Sequence, residues 1–229
     1  MPLDHRVAII TGATGATGRL AARALAGQGA SLVLVGTDRP RLETLAGGLG
    51  LPAERVLAIP ADMTDRAAVF AAAQAVQARF GRADILLHLV GGWTGGKTLV
   101  DTPSEELENM LRQHLWTTFY LTQAFLPLLI DNGWGRVIVV SSPTAVDPAA
   151  RHGAYAIGKA AQETLLLTLA KEAVPHGVTA NILQVRSIDV KNEGKGTRPE
   201  EIVTAILELC SDAAANTNVR RIPLYTAPS

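Results

Sequence analysis

Short runs of aliphatic and β-branched residues alternate with Ala/Leu-rich stretches along nearly the whole chain, and several of the short runs are apolar at every position, as in Leu32-Val-Leu-Val35 and Val137-Ile-Val-Val140. A strand with one face in water alternates apolar with polar residues, whereas a strand apolar throughout must be covered on both faces. The intervening stretches have the period of helices and supply that cover, which is also the crossover that parallel strands need. The pattern predicts strands at residues 6–10, 31–35, 55–59, 84–90, 136–140, 178–183 and 219–224. It predicts helices at 16–27, 39–49, 66–80, 104–130 (open to interruption), 154–174 and 199–210. The fold class is therefore α/β, a doubly wound parallel sheet of about seven strands with helices on both faces. Its 229 residues fit a single domain, 1–229. In such sheets ligands sit outside the carboxyl ends of the strands, so functional residues should follow the strands.

Composition narrows the function classes. Hydrophobic residues are 48% of the chain, charged residues 18%, and the mean hydropathy is +0.19, which supplies a large core and no signature of disorder. Lys+Arg and Asp+Glu number 21 each, and a formal charge of +0 argues against nucleic acid as a partner. Cys210 is the only cysteine, so no internal disulfide can form and a reducing compartment fits. The chain enters a strand almost at once, without a basic and apolar leader, and no apolar stretch reaches membrane-spanning length. A cytoplasmic protein with no membrane partner is expected. His5, His88, His114, His152 and His176 lack metal-ligand spacing, and no metal is expected. Residues 191–198 are polar and predict a mobile loop.

Two constellations follow predicted strands. Thr11-Gly-Ala-Thr-Gly-Ala-Thr-Gly18 leads directly into a helical pattern; its glycines permit a tight turn and close approach of backbone, while the helix N-terminus presents free N–H groups to a pyrophosphate. A plain βα turn is the alternative. Farther along, Ser142 ends a buried strand, and Tyr155 and Lys159 stand four apart on a predicted helix. Positions i and i+4 share a helix face, and an ammonium beside a phenol favours phenolate, making a general acid/base. Tyr-x-x-x-Lys is also common on ordinary amphipathic helices. Asp62, after the third strand, can accept from an adenine amino group, although an N-cap at Asp65 or Arg66 competes for such a carboxylate. Gly91-Gly-Trp-Thr-Gly-Gly-Lys-Thr98 matches the pattern of a phosphate-cradling loop, but Leu99-Val-Asp-Thr-Pro103 separates its lysine from the next helix, whose start is signalled by the capping pattern Thr102-Pro-Ser-Glu-Glu106. A flexible substrate-side loop is expected there, with Trp93 facing the pocket or a partner.

Together these residues resemble the short-chain dehydrogenase/reductase family over essentially the whole chain, with its Rossmann-type sheet. The resemblance implies hydride transfer between a nicotinamide and a small carbonyl or alcohol. Tyr155 would be the acid/base, Ser142 would hold the substrate oxygen, and Lys159 would bind the nicotinamide ribose while depressing the Tyr155 pKa. The implied dinucleotide site comprises Gly12, Thr14, Gly15, Ala16, Thr17, Gly18, Thr37, Asp62, Met63, Gly91, Tyr155 and Lys159. Several positions depart from the family pattern. His88-Leu-Val-Gly91 stands for Asn-Asn-Ala-Gly, and His114 stands for the catalytic asparagine whose carbonyl holds a relay water, a role a histidine keeps in part if its helix keeps a distortion there. Val185-Arg186 replaces Pro-Gly, and the lid segment, 187–198, is short, leaving a pocket that is open or completed by a neighbouring subunit. The second strand ends in Gly36 rather than an acidic residue, which favours NADP over NAD, with Thr37 and Arg39 near the extra phosphate and Asp38 opposing it. Trp116, Phe119, Tyr120 and Phe125 lie on the helix that builds the family's homodimer or homotetramer interface, core packing being the alternative. His152 is expected on a surface loop. The altered positions also admit a second reading, a dinucleotide-binding sensor or scaffold with little turnover.

Overall fold

The computed structural model describes residues 3–225. Strands β1 (Val7–Thr11), β2 (Ser31–Gly36), β3 (Val56–Pro60), β4 (Ile85–His88), β5 (Gly135–Ser141), β6 (Val178–Gln184) and β7 (Arg220–Pro223) form one parallel sheet in the order β3-β2-β1-β4-β5-β6-β7. Between them run α1 (Ala16–Gly27), α2 (Arg39–Gly47), α3 (Arg66–Phe80), α4 (Ser104–Leu111), α5 (Thr117–Asp131), α6 (Gly153–Ala173) and α7 (Pro199–Cys210). Successive strand residues point to opposite faces. Ile10, Leu34 and Ile138 accordingly pack with Leu25, Leu42 and Ile206 of α1, α2 and α7, while Ile9, Val33 and Val139 pack with Val76, Phe125 and Leu169 of α3, α5 and α6. That is why these strands are apolar at every position. Each such side chain, fully buried, contributes roughly 1.5–3 kcal/mol.

A strand apolar on both faces does not select its own register, because a one-residue slip still buries apolar groups. Polar residues at the strand ends pin it instead. At the amino end, the fully buried Asp84 accepts from the Val7 N–H (2.9 Å), Arg6 (3.1 Å) and Arg82 (2.5 Å), tying the entry of β4 to β1. At the carboxyl end, Thr11 and His88 are register partners and their side chains meet at 2.8 Å. The strand order reverses between β1 and β4, which opens a crevice above these two residues.

Three expectations change in detail. The helix predicted over 104–130 is α4 and α5 joined by a π-helical turn, Arg112–Trp116. The Thr102 capping pattern does not form; α4 begins after Pro103 without a side-chain cap, because the Thr102 hydroxyl donates to the Thr98 carbonyl (2.7 Å). The 191–198 loop is organised rather than loose, since the Asp189 carboxylate accepts the N–H groups of Glu193 (2.9 Å), Gly194 (2.7 Å) and Lys195 (3.2 Å) and Ile188 bridges to Thr197. Among the described residues no helix is long and apolar enough to cross a membrane.

Candidate active site

The glycine turn is shaped by contacts that exclude side chains. Gly12 leaves β1 with φ +69°, and a Cβ there would stand 3.1 Å from the Leu89 carbonyl. A Cβ on Gly18 would run into the Gly12 carbonyl oxygen and the Ala13 backbone, so α1 can seat against the turn only with glycine here. The N-cap of α1 is Gly15, no side chain caps it, and no acidic residue occupies its first turn. The first N–H groups and the positive end of the helix dipole are therefore left for an anion. Arg19 braces the turn from outside by donating to the Thr14 carbonyl (2.6 Å).

A cleft of about 620 Å³ opens over this turn. One wall is Gly12, Gly15, Ala16, Thr17 and Gly18; the chain leaving β4, from Leu89 to Trp93, forms a second; Val140 and Ser141 at the end of β5 meet Tyr155 and Lys159 of α6 at the floor. The segment after β6, including Val185, Arg186 and Ile188, closes the far side. Buried polar atoms without partners gather here. Thr17 Oγ1, His114 Nδ1, Ser141 Oγ and His152 Nδ1 are among the six such atoms of the described residues, and all four belong to residues lining the cleft. Orphaned groups in a concave, anion-ready site point to an absent ligand.

The three catalytic candidates converge at the floor. Ser142 Oγ accepts from the Thr144 hydroxyl (2.9 Å) and N–H (3.3 Å), which leaves its own proton to act on the Tyr155 phenol. Burial raises the Tyr155 pKa and Ser142 works against the rise. The expected action of Lys159 on the phenol is not present. Its ammonium turns to the Val140 carbonyl (2.8 Å) and Gln162 Oε1 (2.9 Å), and burial, offset in part by Glu163, lowers its pKa to about 7. The i,i+4 spacing put both residues on one face, but a lysine stem is long enough to reach the strand behind it.

A family model described as short chain dehydrogenase matches residues 6–200. The chain belongs to that family. Among curated relatives, an uncharacterized oxidoreductase of Staphylococcus epidermidis is 30% identical over 187 residues, covering 82% of this chain and 80% of the relative. One from Staphylococcus aureus (strain USA300) is 27% identical over 212 residues, covering 90% of each. Two solved structures share the fold: a putative 3-oxoacyl-reductase from Bacillus thuringiensis (TM-score 0.87, 24% identity, 98% of each chain) and sorbitol-6-phosphate 2-dehydrogenase of Erwinia amylovora (TM-score 0.87, 22% identity, 94% of this chain and 96% of that one). The protein is thus an oxidoreductase acting on CH–OH or C=O groups, and its family uses NAD(P). The bare α1 terminus, the side-chain-free turn and the orphaned Thr17 hydroxyl fit a dinucleotide pyrophosphate.

How this short-chain dehydrogenase accommodates its altered positions is visible in its hydrogen bonds. His114 sits in the π turn, so the helix keeps a distortion at this point. Its carbonyl accepts the Thr118 hydroxyl (2.6 Å), which occupies one of its two lone pairs. Its Nε2–H donates to the Gly92 carbonyl (3.0 Å), since a carbonyl can only accept; Nδ1 is left as a bare acceptor, and the ring stands edge-on to Tyr155 with centroids 5.5 Å apart. Burial, then the Lys159 charge, push its pKa down to about 3. His88 behaves similarly, with a pKa of about 3 set by burial and then by Lys159 and His114. Because the Thr117 hydroxyl donates to the Gln113 carbonyl (2.7 Å), it accepts from His88 Nε2–H (3.2 Å), and His88 Nδ1 accepts from Thr11 (2.8 Å). His88 is thus a neutral strut between β1, β4 and the start of α5.

The other candidates separate. Gly91 lies against the His114 ring in the cleft wall. Thr14, Thr37, Asp62 and Met63 lie outside the cleft lining, as does Ser142, which is buried directly behind Ser141. Met63 is core, exposed Asp62 accepts from the Thr64 N–H (2.8 Å), and Asp65 takes the N-cap of α3. Arg186 lines the cleft but stacks on the Tyr225 ring, 5.1 Å from its centroid. His152 is not a surface residue: it is half-buried, lines the cleft and meets Trp93 edge-on at 5.9 Å. The loop that resembles a phosphate cradle has no helix at Lys97, whose ammonium pairs with Glu106. Sequence reasoning missed Gln162, Thr117 and Thr118; Gln162 carried the one local signal, an amide three residues after Lys159 on a largely apolar helix.

Proposed function

We propose that the protein transfers a hydride between NADP(H) and a small carbonyl or alcohol, with Tyr155 as the general acid/base, and that residues 1–229 act as one such domain in the cytoplasm. The observation carrying this reading is that Tyr155 and Lys159 of one helix face line a cleft whose opposite wall is an uncapped helix terminus over a glycine turn, with Ser142 lowering the phenol pKa against burial. The nicotinamide, when bound, supplies or accepts the hydride. In the reducing direction the raised Tyr155 pKa keeps the phenol protonated at neutral pH, and it passes that proton to the substrate oxygen while Ser142 donates a hydrogen bond to the same atom. Lys159 and Gly91 face the ribose position, and the α1 terminus with Thr17 takes the pyrophosphate. Trp93, His152 and Ile188 border the substrate side, which suits a small substrate with an apolar portion.

NADP is favoured over NAD because β2 ends in Gly36, with Thr14 Oγ1 beside it and no carboxylate to repel a phosphate. Asp38 is drawn away: it caps α2 through the Arg41 N–H (3.0 Å) and pairs with the Arg41 guanidinium (3.2 Å). Adenine would extend past Thr37 toward Asp62. Trp116 on the π turn and Phe119 on α5 are exposed and lie against the half-buried Tyr120, a patch that suits a homodimer or homotetramer.

A second reading, a dinucleotide-binding sensor with little turnover, is favoured by the inward turn of Lys159, which leaves the phenol without its cation. Oxidation of NADPH and NADH with a panel of ketones and aldehydes separates the two. Tyr155→Phe is expected to lower kcat about 10²–10⁴-fold with dinucleotide affinity nearly unchanged. If no carbonyl or alcohol in the panel is turned over by the unaltered protein, the sensor reading takes over.

A further inference from the structure

Lys159 has three ammonium hydrogens, and two are already directed. One goes to the Val140 carbonyl at the end of β5 and one to Gln162 Oε1, both at hydrogen-bond length, while the residue still lines the cleft. Gln162 is fully buried, and its other end donates from Nε2 to Thr118 Oγ1 (2.9 Å), which donates to the His114 carbonyl (2.6 Å) in the π turn. The third hydrogen is the only one left for the cleft. It emerges by Gly91, where a Cβ would lie 3.8 Å from Lys159 Nζ and 3.2 Å from the orphaned His114 Nδ1. An amide cannot pass a proton along this chain as a hydroxyl or water would, so the chain holds rather than conducts.

We infer that Gln162 is a positioning residue, whose amide grips the Lys159 ammonium and, through Thr118, ties it to the π turn so that one ammonium hydrogen stays aimed at the cofactor's ribose hydroxyls. The inference rests on the proposed reading of Lys159 as the ribose ligand. Two side chains, Gln162 and Thr118, thus span the gap between α6 and the π turn and hold the lysine to it. The charged and titratable groups that interact with Lys159 are His88 from β4, His114 from the π turn and Glu163 from α6 itself, the last held by Arg221 of β7 and Gln184 of β6, while Tyr155 of α6 lines the same cleft. Gln162 is the neutral member that fixes geometry among them.

The test is direct binding of NADPH by tryptophan fluorescence from pH 6 to 9, which needs no turnover. In the unaltered protein affinity should fall as pH rises through about 7, where Lys159 loses its proton. Gln162→Leu should weaken binding about 10-fold, the size of a lost hydrogen bond to a charged group, and move the fall to lower pH. Gln162→Glu keeps an acceptor on the ammonium and adds a charge that retains its proton, so affinity should survive and the fall should move above pH 7. Thr118→Val, which cuts only the far end of the tether, should show a smaller loss in the same direction and serves if Gln162→Leu does not fold. Unchanged affinity and unchanged pH dependence in Gln162→Leu, or in Thr118→Val if that alone folds, would overturn the inference and leave the proposed function standing. Failure of the unaltered protein to bind either dinucleotide removes both.

Discussion

His88 and His114 carry no charge in the fold because burial, the nearby Lys159 ammonium and, for His88, the neighbouring His114 all oppose a proton on either ring. A histidine whose folded pKa lies at about 3, below its unfolded value of about 6.5, contributes stability that is whole above pH 6.5 and is lost as pH falls toward 3. The expected loss is of order 4 kcal/mol per ring at the acid end, an upper value because the two rings share Lys159 as a neighbour. Urea unfolding followed from pH 7 to pH 3.5 should show this decline, and His114→Asn should flatten it; an equal slope in the variant would mean that carboxylates alone drive acid unfolding. The residue types were legible in sequence as departures from a family pattern, but not their consequence. His88 is 29 positions from Thr117 and 77 from Thr11, and only the paired hydroxyls explain how an imidazole is satisfied there.

At the scale of elements, local chemistry was a good guide wherever the element's ends are local. The bounds of α1, α3 and α7 could be read from glycine, aspartate and proline at their ends, and Asp65 does cap α3 while Gly81, at φ 68°, ends it. The π turn was legible only as an allowed interruption, because its form depends on other elements: the Thr117 and Thr118 hydroxyls that donate to the Gln113 and His114 carbonyls are held by His88 on β4 and Gln162 on α6. The same holds for the segment after β6. Its polarity suggested mobility, yet a single carboxylate organises it by accepting three backbone N–H groups, which also holds the Asp189 pKa below the usual range. Asp189→Ala should release this loop, and limited trypsin digestion should then cut at Lys191 or Lys195 several-fold faster than in the unaltered protein, with the sheet's melting temperature little moved. Resistance equal to that of the unaltered protein would show that the Ile188–Thr197 bridge suffices.

For the whole molecule, the exposed aromatic cluster is the feature that a lone subunit does not explain. Phe125 on the same helix is fully buried and answers the core-packing alternative, but Trp116 and Phe119 are 45% and 37% exposed and stack with Tyr120. Trp116→Glu with Phe119→Glu should convert a sedimenting dimer or tetramer to monomer without loss of secondary structure; a monomeric unaltered protein would refute the interface. The sequence alone determined the class of fold and the candidates for the dinucleotide turn and the catalytic trio, because a strand–turn–helix pattern and a helix face are local, and the resemblance supplied the roles. Only the tertiary structure decided that Lys159 reaches back to β5 and Gln162, that Tyr155 answers to Ser142, and that the two histidines are neutral. Those outcomes turn on burial and on partners brought from distant parts of the chain, and a linear pattern records neither distance nor desolvation.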